Sequence, residues 1–88
     1  MFISDFKQLQ QLEEAKAQDK LVSVMEHRRN TTHLGTPRDF TTSGMNITGY
    51  HVTTVRGHEL LLSLDDGFYV VETFGREYAR EAEELVYG

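Results

Sequence analysis

Four histidines, at positions 27, 33, 51 and 58, are the side chains of this chain best suited to proton transfer or metal ligation, because an imidazole titrates near neutrality and can ligate a divalent cation. None of their spacings reproduces HExxH or an i,i+4 pair, so a zinc site would have to be assembled from separate strands. His51 and His58 flank an Arg56-Gly57 turn and could approach one another across neighbouring strands. An ordinary strand histidine is the simpler reading of each, and no metal site is expected. Glu26, His27, His33 and Asp39 surround a polar segment where an acid and a base, with Ser43 or a threonine as nucleophile, are the chemistry those residue types allow. Nothing in the spacing orients them. A GxSxG elbow, a phosphate loop and a dinucleotide fingerprint are all missing, and Gly35, Gly44 and Gly49 are too scattered to form one. No catalytic residue and no cofactor is expected, and the chain reads as a non-enzyme.

Charge is the stronger signal. Residues 57–88 hold eight acids against Arg76 and Arg80, whereas residues 1–56 hold six acids against seven bases, in a chain of net charge −5. Glu77, Glu81 and Glu84 fall within about 60° of one another on a helix, where the i,i+4 pair Glu77/Glu81 repels by a few tenths of a kcal/mol. Glu83 and Glu84 also occupy the last turn, which prefers cations. Locally unfavourable choices are more often kept at functional surfaces, so an acidic partner-binding face of Glu77, Glu81, Glu84, Glu72, Asp65 and Asp66 is expected, with a basic surface as its complement. A second candidate contact is the polar segment itself, through Arg28, Arg29, Arg38, Asp39 and Phe40. Three arginines without a surrounding basic field do not make a nucleic-acid site, so direct nucleic-acid binding is not expected.

The elements that must position these groups follow from periodicity. Ser4 reads as the cap of a helix over about 5–19, with Phe6, Leu9 and Leu12 on one side and Phe2 just ahead. LVSVMEH at 21–27 reads as a strand. Residues 28–46 hold the only proline, five threonines and almost no periodicity, and read as a long polar loop. From Ile47 a meander of three antiparallel strands is expected: ITGYHVTTV, HELLLSL after the Arg56-Gly57 turn, and FYVVET after Asp65-Asp66-Gly67. Tyr50, Val52, Leu60, Leu62 and Leu64 give one apolar face, and Leu61, Phe68 and Val70 leave the other half polar, a candidate self-association face. Thr73 then caps a helix whose stripe is Phe74, Tyr78, Ala79, Ala82, Leu85 and Val86.

These elements make residues 1–88 a single α+β domain, an antiparallel sheet of about four strands with an N-terminal and a C-terminal helix on one face, in the order α-β-loop-β-β-β-α. A chain of 88 residues buries one modest core, and a deep catalytic pocket would consume much of it. With no cysteine, neither a disulfide framework nor a thiolate zinc site is available. No apolar run approaches 18 residues and the N-terminus lacks a basic signal region, so a cytoplasmic protein without membrane contact is expected.

In size, stand-alone character, acidity and mixed α/β pattern the chain resembles, as a class and without a motif match, the small phage-encoded inhibitors of host defence, anti-CRISPR proteins among them. The resemblance implies a non-catalytic inhibitor that blocks a basic, nucleic-acid-binding surface of a larger partner, such as a nucleoprotein effector. Two alternatives stand beside it: a self-associating regulatory or structural subunit, as in a homodimer, and a small nucleic-acid binder using the loop arginines.

Overall fold

Leu21, Val22, Ser23 and Val24 are all buried, and because side chains alternate along a strand, both faces of this stretch must be covered. The computed structural model describes residues 3–88, with side chains from Phe6 onward, and in it two helices supply that cover. The elements in chain order are α1 (Ile3–Ala17), β1 (Leu21–Glu26), β2 (Thr31–Ser43), β3 (Asn46–Thr54), β4 (Glu59–Ser63), β5 (Phe68–Phe74), a 3-10 turn (Arg76–Tyr78) and α2 (Ala79–Tyr87). The strands form one antiparallel sheet in the order β4-β3-β2-β1-β5. The expected α+β class, with a helix at each end of an antiparallel sheet, is the one the chain adopts.

The long polar loop expected at 28–46 is instead mostly β2, the central strand of the sheet. Its five threonines, at 31, 32, 36, 41 and 42, favour extended backbone through branching at Cβ, yet its buried residues are Leu34, Gly35 and Pro37, which make no alternating pattern. Pro37 is tolerated in a central strand because the β2–β3 register slips between Pro37 and Asp39. A second slip follows between Thr41 and Thr42.

β2 also changes partner along its length. Thr31–Gly35 pair with β1, Gly35–Ser43 pair with β3, and Gly35 alone belongs to both ladders. A Cβ on Gly35 would meet the Thr53 carbonyl oxygen at 2.5 Å and Val52 Cγ1 at 2.7 Å, so the corner where the two hairpins diverge needs a glycine. This corner curls the sheet. In a flat sheet β4 and β5 would lie about 19 Å apart, four strand spacings. Here the Leu64–Gly67 link joins them directly, folded back by a Gly67 N–H to Ser63 carbonyl bond of 3.0 Å. The expected hairpin of β4 with β5 therefore does not form, and β5 closes on β1 instead, from Phe68 beside Glu26 to Phe74 beside Leu21. The carbonyl of Gly67, a residue at φ +85°, accepts the His27 N–H at 3.1 Å, which fixes the start of that closure.

Inside the curl lies the main core: Val22, Val24, Tyr50, Val52, Leu60, Leu62 and Phe68, closed by Leu9, Leu12 and Ala15 of α1. The expected inner face of Tyr50, Val52, Leu60 and Leu62 is all here, with Leu64 packed against it. Two polar contacts tie α1 down: the Tyr50 hydroxyl donates to Glu13 Oε1 at 2.8 Å, and Gln8 Oε1 accepts the Val70 N–H of edge strand β5 at 2.6 Å. α2 packs on a second cluster with Leu21, Leu34 and Ala82 at its centre. Since Leu21 alternates with Val22 and Val24, the helices sit on opposite faces of β1, not on one face as expected.

Three smaller expectations change as well. α1 begins at Ile3, which places Ser4 inside its first turn and not before it, and Phe2 lies outside the described residues. Phe6, at the start of α1, is 59% exposed. Thr73 belongs to β5 and caps nothing, because Gly75 and the 3-10 turn intervene before α2.

Candidate functional site

The delayed start of α2 decides which of its side chains reach solvent. Ala82 is buried, with Ala79 and Val86 packed beside it, and at 100° per residue Leu85 lies about 90° away from the centre of that arc. Leu85 is consequently 74% exposed and Tyr78 57% exposed, although both were expected on the core stripe. Glu77, Glu81 and Glu84 are exposed as expected, and Glu81 is within about 40° of Leu85 on the helix. The outer surface of the 3-10 turn and α2 together therefore alternates acid and large apolar groups.

The remaining acids do not join it. Asp65 and Asp66 sit in the β4–β5 link, at the start of β5, whereas α2 follows the end of that strand; seven extended residues separate them by about 23 Å. Asp66 faces Arg28 at 3.6 Å, an exposed pair. Glu72 lies on β5 and lines a shallow groove against Gln11 and Glu14 of α1 and Gln18 just beyond it. The expected six-residue face is thus a patch of three acids plus three detached ones, Asp65 and Asp66 in the link and Glu72 on β5.

The loop residues are dispersed for the same reason that the loop is a strand. Arg28 and Arg29 lie in the β1–β2 turn, and Arg38, Asp39 and Phe40 begin seven residues into β2, about 23 Å along it. Arg38 donates to Thr53 Oγ1 at 3.0 Å, Asp39 accepts the Phe40 N–H at 2.8 Å, and Phe40 packs edge-on against Tyr50 at 5.4 Å. The self-association face changes too. Phe68 is 4% exposed and Val70 packs against the main core, because β5 closes on β1 with a register set by that strand. Leu61 remains exposed on β4, and Tyr69 and Val71 are the exposed apolar residues of β5.

Of the four histidines, His33 and His58 line a common cleft and His27 and His51 stand apart from it. His33 Nε2 bonds Glu26 Oε1 at 2.9 Å and lies 3.2 Å from Thr31 Oγ1; His27 packs on Tyr69 in the turn; His51 is bonded to Glu59. Ser43 ends β2 far from them; Glu26, His33 and Thr31 do meet, but the carboxylate and the hydroxyl share one ring nitrogen of His33, Nε2, so the acid does not orient the imidazole toward the hydroxyl as a relay requires. Among the described residues no group of three His, Cys, Asp or Glu is gathered as a metal would need.

One cavity does gather chemistry. Where β2 loses β3 beyond Gly35, the two hairpins part and leave a cleft of about 470 Å³ between the β1–β2 turn, the β3–β4 turn and the end of α2. Arg29, His33, Arg56, His58 and Tyr87 line it, with threonines and Leu60. The Arg56 guanidinium lies 4.0 Å over the Tyr87 ring, and the Tyr87 hydroxyl accepts the Leu34 N–H at 2.9 Å. The Arg56-Gly57 turn and Tyr87 are visible in the sequence, but their meeting depends on the split of β2, which no local pattern announces.

Compared with protein families, curated proteins and solved structures, the chain matches none. Among the described residues no helix is long and apolar enough to cross a membrane.

Proposed function

We propose that this chain is a non-catalytic protein-binding module that docks the outer face of α2 on a basic, nucleic-acid-binding surface of a larger cytoplasmic protein and so inhibits it. The single observation that carries the reading is the exposure of Tyr78 and Leu85 among Glu77, Glu81 and Glu84. A tyrosine on the 3-10 turn and a leucine on α2, both left in water, give a partner apolar anchors, and the acids around them give encounter speed and orientation against a basic rim. Anchors and charge are separable. Reversing Glu77, Glu81 and Glu84 to Lys removes the charge, while Leu85→Ser with Tyr78→Ser removes the anchors, and neither set touches Ala79, Ala82 or Val86 of the packed arc.

The experiment compares partners retained by the parent and by both variants at about 150 mM salt, where exposed charges are screened beyond roughly 8 Å. A retained protein must be lost with each variant, and its nucleic-acid binding must fall when the parent is added. A partner held equally by all three, or one whose nucleic-acid binding is untouched, defeats the reading.

A second reading, self-association, is favoured by Leu61 on one sheet edge and by Tyr69 and Val71 on the other, since unpaired strand edges with apolar side chains accept further strands. Sedimentation decides it: a mass above the 10.1 kDa of one chain that falls on Leu61→Glu supports a homodimer or larger assembly.

A further inference from the structure

We infer that the cleft at the split of β2 is a binding site for a small phosphate-bearing molecule. In a chain of net charge −5, this cleft gathers two arginines and two histidines against one acid; a second basic groove, of Lys16, Lys20, Arg38 and Arg76, has its Lys16 and Arg76 paired with Glu13, Asp39 and Asp19. Among the described residues neither Arg29 nor Arg56 has a carboxylate partner, whereas Arg28 and Arg76 are paired with Asp66 and Asp19. Glu59 is the one acid in the lining, and its carboxylate is turned to His51 and Thr53. Glu26 is held by His33. Glu83 and Glu84 share the adjoining groove with Arg56 but form no ion pair with it.

The backbone adds a donor. Leu34 turns its N–H and C=O away from β1, to Tyr87 Oη and the Val55 N–H, so strand alternation turns the N–H of Thr32 to that same side, where Thr32 lines the cleft. Two guanidiniums, a free backbone N–H and threonine hydroxyls around one opening are the groups that hold phosphate oxygens, the guanidinium fork being matched to them in geometry. A volume of about 470 Å³ suits a ligand of mononucleotide size, and Leu60 and Tyr87 give its uncharged part an apolar wall. A longer nucleic acid is disfavoured because beyond the cleft rim Arg80 stands among Glu83 and Glu84, which interrupt any basic track along that surface.

The test is an amide-shift titration of the full chain with inorganic pyrophosphate and with adenosine monophosphate, against potassium chloride at matched ionic strength. The expected result is saturable shifts at Thr31–Leu34, Thr54–His58 and Tyr87 below about 10 mM ligand, weakened about tenfold or more by Arg29→Gln and restored in Arg29→Lys to within a few fold. Arg29→Gln leaves the Arg56–Tyr87 contact in place, so loss of binding in that variant cannot be attributed to a loosened α2. Arg38→Gln, on the far half of β2, should bind as the parent does. Shifts that do not saturate, that follow chloride equally, or that survive Arg29→Gln with Arg56→Gln overturn the inference. So does affinity that climbs with oligonucleotide length and spreads to Arg38 and Arg80, which would make the ligand a nucleic acid.

Discussion

Tyr87 and Leu34, 53 residues apart in the chain, are joined by a 2.9 Å hydrogen bond in which the hydroxyl accepts the backbone N–H. The last turn of α2 thereby takes over the place that β3 vacates when it leaves β2. Leu34 is fully buried, so its N–H has no water to turn to if the hydroxyl is removed. Tyr87→Phe should cost about 1–3 kcal/mol in urea unfolding while the far-ultraviolet spectrum stays unchanged. A neutral substitution would mean that the bond is replaceable by solvent and that the end of α2 is not fastened there.

The two faces of the leucine set should separate by stability. Leu62 is 1% exposed within the main core, and Leu62→Ala should destabilise by about 2–5 kcal/mol, as removal of buried methyl groups does. Leu85 is 74% exposed, and Leu85→Ala should stay within about 0.5 kcal/mol. Equal losses at both positions would place Leu85 in a core it does not share here.

Gly35 offers a sharper geometric test. Its missing Cβ leaves the Thr53 carbonyl 2.5 Å from where that atom would stand, so Gly35→Ala must push apart the corner of the two hairpins. The expected loss is about 2 kcal/mol or more, at the upper end of overpacking costs. Gly44→Ala is the comparison, since nothing lies within 4 Å of its Cβ and only its φ of +62° resists substitution. If Gly35→Ala costs no more than Gly44→Ala, the hairpins do not meet at that residue.

Tyr50 makes stability depend on alkaline pH. Burial, together with the bond to Glu13 and the charges of Glu13 and Asp39, pushes its phenol well above the usual value near 10. Because the folded-state value is the raised one, the stability Tyr50 contributes is fully present below about pH 10 and is lost as pH rises toward the folded value, at up to about 1.4 kcal/mol per pH unit. Parent and Tyr50→Phe should therefore run parallel in urea unfolding up to pH 9.5 or so and converge or cross above it. Parallel curves at pH 11 would show the phenol ionising freely in the folded state.

Much of this fold is legible in the sequence, and the illegible part has a common cause. The strands at 21–26 and 46–54, the inner leucines and the terminal helices follow from local alternation and helical spacing. β2 does not, since Gly35 and Pro37 occupy positions where an alternating pattern would show apolar side chains, and two register slips break the period further. The partner of β5 is equally hidden: Asp65-Asp66-Gly67 looks like a hairpin turn, and only the curl created by Gly35 makes β1 the available edge. The acidic stripe was readable because charge on a helix needs only its spacing. The exposure of Tyr78 and Leu85 was not, because it depends on where the 3-10 turn hands over to α2, and the cationic cleft was not, because it exists only where two ladders part.

The closure of β5 on β1 also orders the assembly of the molecule. The β1–β2, β2–β3 and β3–β4 pairings join neighbours through short turns, but Ser23 must find Glu72 across 49 residues, and a loop longer by a factor of ten costs about 2 kcal/mol more to close. The meander can form first, leaving the free edge of β1 and the buried side of Leu21 open to solvent until β5 and then α2 arrive. The helix that carries the outward acids is thus presented in its final register only by a chain whose sheet is already complete. An unfinished chain shows a bare strand edge in its place.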